Sequence, residues 1–137
     1  GHINANIIGG FDTRTNAQQV NARFPGDYQR AQGINPWGRV GGTRVFAPTF
    51  SQTNCGGTDT GVIKRVQDSG ATISNNSWGC SGCASQYDDS SQAYDLGVRD
   101  ADGTDPGNQQ ITFVFSAGNS GSGAGTIGTP GNGKNMI

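Results

Sequence analysis

Residues 113–123 read FVFSAGNSGSG: an apolar run of the kind that fills a buried strand stops at Asn119, which is ringed by glycines. Asparagine is a poor strand former, its amide carries two donors, and glycines let another molecule approach the backbone closely. The stretch points to a place where a ligand meets the end of a sheet, although an asparagine so placed also suits a turn through its tolerance of left-handed backbone. Cys80 and Cys83 form a single C-x-x-C. Without a second pair or nearby histidines it makes a poor zinc site, and the expectation for the three cysteines is a disulfide with one thiol left over. Residues 123–128, GAGTIG, match G-x-G-x-x-G after a strand. A dinucleotide site needs a helix to open inside that pattern, and the TPGNGKN that follows cannot start one.

The elements that must position these residues follow from periodicity and punctuation. INANIIGG suits a short helix ending at Gly9-Gly10, and residues 11–37 read as polar loop with a helical turn. GGTRVFAP predicts a strand over residues 43–47. In DTGVIKRVQDSG, Val62, Ile63 and Val66 share one helical face, with Asp59 as N-cap and Gly70 as the stop. ATISNNSWG gives a second strand. SQYDDSSQAYDLGVRDADG gives a second amphipathic helix with Tyr87, Tyr94, Val98 and Ala101 toward the core and Ser85 as cap. QQITFVFSAGN is a third strand whose continuous apolar character suits a sheet covered on both faces. Alternating strands and helices predict an α/β class with parallel strands, and in such sheets ligands gather beyond the carboxyl ends of the strands. Two strands end alike there, in NNSWGCSG and SAGNSGSG.

Composition narrows the function classes. The chain has 137 residues, enough for one domain or a piece of one, yet only 31% are hydrophobic and 24 are glycine, so the core is compact and the loops are long. Nine basic against ten acidic residues give a net charge of −1 with no basic stripe, which argues against nucleic acid as a partner. No run approaches the roughly 20 apolar residues of a membrane span. Few lysines, abundant Asn, Ser, Thr and Gly, and three cysteines favour a secreted bacterial protein. Asn75 heads an N-x-S sequence, but inside a strand it is expected to be unglycosylated.

Four segments in order, GHINANIIGG, GINPWGRVGGTRVF, ISNNSWG and FVFSAGNSGSGAGTIGTPGNGKNMI, resemble the catalytic domain of subtilisin-like serine peptidases, the subtilases. The last is the most specific, since a strand, A-G-N-x-G, a Gly-Pro loop and an N-x-I strand start form an unusual order. Residues 11–32 and 48–60 match poorly and read as loop insertions. The resemblance implies a three-layer subtilisin-like fold with a central parallel sheet. Residues 1–137 would be the central part of that domain, without the segments that carry the family's triad aspartate and serine.

The resemblance also implies roles. His2, the one histidine, falls at the family's triad histidine, although Ile3-Asn4-Ala5 stands where the family usually has Gly-Thr-His. A helix start favours the neutral imidazole that a general base requires. Asn119 matches the oxyanion-hole asparagine. Ser77-Trp78-Gly79 and Ser116-Ala117-Gly118 match the two walls of the primary specificity pocket, the substrate backbone pairing with the first as an added strand. Gly128 matches the base and implies room for a large apolar side chain, while Trp78 itself suits a core or cleft-wall position. The partner implied is a polypeptide substrate, with the protein's own pro-segment as a second, and the residues here would be inactive alone. Two other classes are a subtilase relative that only binds peptides and a Gly/Asn/Ser-rich structural module; the latter would need internal repeats, which the sequence lacks. The resemblance makes no cofactor certain and leaves a structural calcium open. Family members often hold calcium on loops, and Asp12, Asp27, Asp88 and Asp89 are acidic residues in loops or helix starts, but no D-x-D-x-D-G array is present. Cys55 just past the first strand and Cys80 just past the second would share the sheet's carboxyl edge. A Cys80–Cys83 ring would be very small, so Cys55 is expected to pair with Cys80 or Cys83.

Overall fold

The computed structural model describes residues 2–11, 32–46, 48–80, 82–83 and 85–137, with His2 described by its backbone only. The chain divides into two compact units, Gly1–Gly42 and Thr43–Ile137.

In the first unit, helix α1 spans His2–Gly9, as the Gly9-Gly10 stop predicts. Its last carbonyls are taken up by a returning segment: the Ile34 N–H donates to Ile7 at 3.1 Å and the Asn35 N–H to Ile8 at 2.8 Å. Gly33 permits that return, because a Cβ there would lie 2.6 Å from the Ile8 carbonyl oxygen. Phe11 stacks on Trp37 with centroids 5.1 Å apart. The expected insertion 11–32 lies outside the described residues except for Phe11 and Gln32.

The second unit is built on a strand–helix–strand crossover. Strand β1 (Ile73–Asn76) pairs in parallel with β2 (Thr112–Phe115), Ile73 opposite Thr112 and Asn76 opposite Phe115. Helix α3 (Asp89–Gly97) lies between them in sequence, and α2 (Asp59–Asp68) precedes β1. The mixed order and parallel pairing make this a partial α/β domain, as expected. Val62, Ile63 and Val66 of α2 are buried, as their spacing predicts. Ile63 and Val66 join Tyr94, Ala101, Ile111 and Phe113 in the main core. Gly97 lets α3 close on that core, since a Cβ there would stand 2.9 Å from Ile63 Cγ2 and 3.4 Å from the Phe113 ring. Beyond β2, the Ile137 N–H donates to Phe113 and its carbonyl accepts from Phe115, so the C-terminal N-x-I segment runs along the second edge of that strand.

Local details differ from the sequence expectations for identifiable reasons. The N-cap of α2 is Thr58, whose hydroxyl accepts from the Gly61 N–H at 3.1 Å, and Asp59 is the first helical residue. The N-cap of α3 is Asp88 rather than Ser85, which leaves Tyr87 ahead of the helix. Both corrections move the cap to the extended residue whose side chain reaches an orphan N–H two or three positions on. Residues 43–46 do not form a strand, and Ala47, the last residue of the expected strand, lies outside the described residues. Phe46 makes an isolated antiparallel bridge with Phe50, and the Ser51 N–H donates to Val45 at 2.8 Å, so the segment spends its backbone groups on a local bend. Val45 is nonetheless buried, in a second cluster with Cys55 and Val62. Within the 48–60 stretch a 3-10 turn at Thr53–Cys55 leads into α2.

Candidate functional site

Both strands deliver their next residues to the carboxyl end of the sheet. The parallel register continues one step beyond it, the Ser116 N–H donating to Asn76 at 3.0 Å, so Ser77-Trp78-Gly79 and Ser116-Ala117-Gly118 leave side by side. Ser77, Gly79 and residues 116–119 are exposed. Trp78 is half-buried. Its ring lies 5.2 Å from Phe50, 6.0 Å from Tyr94 and 5.5 Å from Phe115, and it bridges the two core clusters. The side chain thus fixes the first exit to the core, which is the core or cleft-wall role its size suggests.

The second exit is open. Gly118 and Gly121 have φ of 82° and 91°, a conformation that L side chains rarely adopt, and a Cβ on either would meet nothing within 4 Å. Between them Asn119 is exposed, and its amide has no hydrogen-bond partner among the described residues. An amide without a partner among the described residues is free to donate outward.

A third segment closes the base between the exits. The Cys80 N–H donates to the Thr129 carbonyl at 2.8 Å, Pro130 is fully buried behind a cis peptide bond, and a Cβ at Gly131 would stand 3.3 Å from the Ser116 carbonyl. Gly128 lies at this base, but its side-chain direction is filled: a Cβ there would fall on the Cys80 carbonyl oxygen. Glycine at 128 therefore answers to backbone packing, which revises the expectation that its missing side chain leaves depth for a ligand.

The base is tied to the start of α3. Asp88 Oδ1 accepts from the Ser91 N–H at 2.9 Å and from the Thr129 hydroxyl at 2.5 Å, while Ser91 Oγ donates to Asn132 at 2.5 Å. Burial pushes the Asp88 carboxyl up, but the Thr129 hydroxyl and the Ser91 donors outweigh it and hold the group below its ordinary value. Asp95 is placed similarly. Burial opposes its charge, and the N–H groups of Asn135 and Lys134 and the Tyr87 hydroxyl lower its pKa, fastening residues 134–135 to α3. The contacts that Asp88, Ser91 and Asp95 make with residues 129–135 span 38 to 41 positions, so no spacing in the sequence announces them.

The cysteines correct another expectation. Cys80 and Cys83 form the disulfide, with Cα atoms 5.5 Å apart, and Cys55 is a free, buried thiol. Because residues 43–46 form no strand, Cys55 does not sit at a strand end; it closes the 3-10 turn and packs inward against Val45 and Val62. The disulfide borders a recess of ≈ 360 Å³ lined by Cys80, Gly82, Cys83, Ser120, Gly125 and Thr126. It begins one residue past Asn119 and has no ionisable side chain in its lining. The C-x-x-C and the two glycines were its available signals, but only the fold joins them.

The structure thus brings Ser77–Gly79, Ser116–Asn119 and Gly128 to one sheet edge. His2 opens α1 in the first unit. Of the acidic residues considered for calcium, Asp12 and Asp27 lie outside the described residues, and Asp88 is engaged as a helix cap. Among the described residues no three His, Cys, Asp or Glu side chains converge as metal ligands.

The family model for subtilases matches residues 1–137 in full. The chain belongs to the subtilase family. No curated protein and no solved structure matches it significantly. Membership makes this a serine-peptidase chain at the level of the family, with a polypeptide as the class of substrate. A partial α/β domain with its open end at the carboxyl edge of a parallel sheet is the part of a subtilase that this structure contains.

Proposed function

We propose that residues 1–137 are the central part of the catalytic domain of a secreted subtilisin-like serine endopeptidase. In this reading the nucleophilic serine and the orienting aspartate belong to sequence outside these residues. His2 takes the serine proton as general base and returns it to the leaving amine. Asn119 donates through its side-chain amide to the oxygen of the tetrahedral intermediate. The substrate backbone adds as a strand along Ser77–Gly79, and the side chain ahead of the cleaved bond enters between Ser77–Gly79 and Ser116–Gly118. Residues 1–137 alone then lack activity, because a base and an oxyanion donor have no nucleophile to act with. The disulfide and the composition support an oxidising, extracellular setting.

The observation that carries this reading is Asn119: an exposed amide without an internal partner, at the carboxyl end of β2, between two glycines that leave space around it. The test is Asn119→Leu in the full-length protein. Loss of one oxyanion-hole donor lowers kcat by about 10²- to 10³-fold, a magnitude established for subtilisin itself and carried over through the family, with KM nearly unchanged. A change confined to KM would assign Asn119 to ground-state binding, and unchanged kinetics would remove it from the mechanism.

A further inference from the structure

We propose that the Cys80–Cys83 disulfide is a specificity-determining wall of the recess beside Asn119. Cys80 and Ser120 continue the two exits directly, so the side chain that enters between Ser77–Gly79 and Ser116–Gly118 ends in this recess; the disulfide holds it to a fixed width for one uncharged side chain, and opening it with a dithiol relaxes that choice. This rests on the peptidase reading above and adds a residue pair that the family match does not assign.

The two sides of the recess are held by different means. On one side Thr126 donates to the carbonyls of Gly121 and Gly123 at 3.1 and 3.2 Å, so the 120–126 loop braces itself. A Cβ on Gly125, already at φ 68°, would stand 2.8 Å from Ser85 Oγ, so this loop also sits close against residue 85. On the other side Cys80 is anchored, its N–H on Thr129 and its carbonyl packed against Gly128. Cys83 lies past the left-handed Gly82 (φ 80°), and the bond between the sulfurs is what returns it to the anchored Cys80. Cleaving that bond frees the Cys83 half of the wall and leaves the Cys80 half in place.

The lining selects by polarity as well as width. All six residues that border the recess are uncharged, and disulfide sulfurs do not titrate. A carboxylate or ammonium group entering there would lose water without gaining a counter-charge, whereas an apolar side chain loses nothing. Because the closed loop is so short, the disulfide constrains little of the unfolded chain. Its effect is therefore concentrated at the recess rather than spread over global stability.

The redox step balances simply. A dithiol such as dithiothreitol gives two electrons and two protons to the Cys80–Cys83 bond; the protein gains two thiols and the reagent closes to its cyclic disulfide.

The test compares two peptide substrates that differ only in Phe or Ala before the cleaved bond, using the full-length protein oxidised, reduced with dithiothreitol, and reoxidised. The oxidised protein is expected to prefer Phe, and the Phe/Ala ratio of kcat/KM to fall about tenfold on reduction and return on reoxidation. A Cys80→Ser/Cys83→Ser variant should show the lowered ratio with or without reductant; should it not fold, the reduction cycle on the natural sequence decides alone. An unchanged ratio would overturn the proposal. So would a parallel loss on both peptides, which marks a general staple, or a dithiol response that persists in the double variant. Hydrolysis of neither peptide by the oxidised protein would instead overturn the peptidase reading and this proposal with it.

Discussion

After β1 the chain runs into Trp78, packed against Phe50, Tyr94 and Phe115, and then into Cys80, fastened to Thr129 and to Cys83. After β2 it runs into exposed Gly118 and Asn119, with open space where Gly118 and Gly121 would carry side chains. The two exits start in register from one ladder, so the difference is made entirely by what the sequence supplies next. A wall that receives a substrate strand needs a fixed backbone, and an aromatic anchor provides it. A donor to a developing oxyanion needs a free amide, and glycines on either side keep neighbours away from it. On the proposed peptidase reading the first exit is a stability feature with a functional edge, and the second a functional feature with little part in stability.

The largest expected effects separate these two characters. Asn119→Leu, costing about 10²- to 10³-fold in kcat, should leave the unfolding free energy of the full-length protein within about 0.5 kcal/mol, as surface changes usually do. Trp78→Ala should do the reverse. A half-buried ring joining two clusters costs about 3 kcal/mol when truncated, at the lower end for core aromatics, and the loosened wall should show in KM more than in kcat per folded molecule. Denaturant unfolding beside active-site titration measures both. Equal destabilisation by the two variants would break the comparison.

The third segment sharpens it. Gly128 looks from the sequence like a pocket floor, and in the structure it is where the 128–131 turn presses on Cys80. Gly128→Ala should therefore destabilise by about 1–3 kcal/mol, the usual range for forcing extra atoms into a filled place. Any change in the Phe-to-Ala preference of the surviving folded protein should accompany that loss, since the atom displaced is the Cys80 carbonyl of the anchored wall. A shifted preference at undiminished stability would return Gly128 to the pocket.

The sequence was legible where one local signal decides the outcome. Gly9-Gly10 ends α1, the Val62-Ile63-Val66 spacing buries α2, and FVF before a glycine-ringed asparagine marks the end of β2. It was misleading where burial and pairing part company. Val45 is apolar and buried, as a strand residue would be, but with its carbonyl held by Ser51 it belongs to a bend. That lost strand also misplaced Cys55, since loop-closure entropy favoured a long-range disulfide while the fold turned Cys55 inward and left Cys83 beside Cys80. Contacts such as Asp88 to Thr129, 41 positions apart, carry no periodic signature and emerge only when α3 and the 128–132 turn meet.

That last contact gives the smallest expected effect, and it tests whether the anchored side of the site is held electrostatically. Asp88 caps α3 and also accepts from Thr129, so Asp88→Ala removes both and should cost about 1–2 kcal/mol at neutral pH. Asparagine caps a helix about as well as aspartate and keeps an oxygen for Thr129, so Asp88→Asn should cost only a few tenths of a kcal/mol there. The two part at low pH. The Asp88 carboxyl is held below its ordinary value of 3.8, so its contribution is complete above that value and is lost as pH falls through the depressed folded value. The natural protein should therefore lose stability on acidification below about pH 4 faster than Asp88→Asn, which has no proton to take up at this position. Asp95 and Asp102, also depressed, the latter to about 2, titrate alike in both proteins and cancel in the difference. Parallel acid-unfolding curves for the natural protein and Asp88→Asn would show that the Thr129 turn is held by shape alone, leaving Trp78 and the Cys80 backbone to fix the first exit without the carboxylate's help.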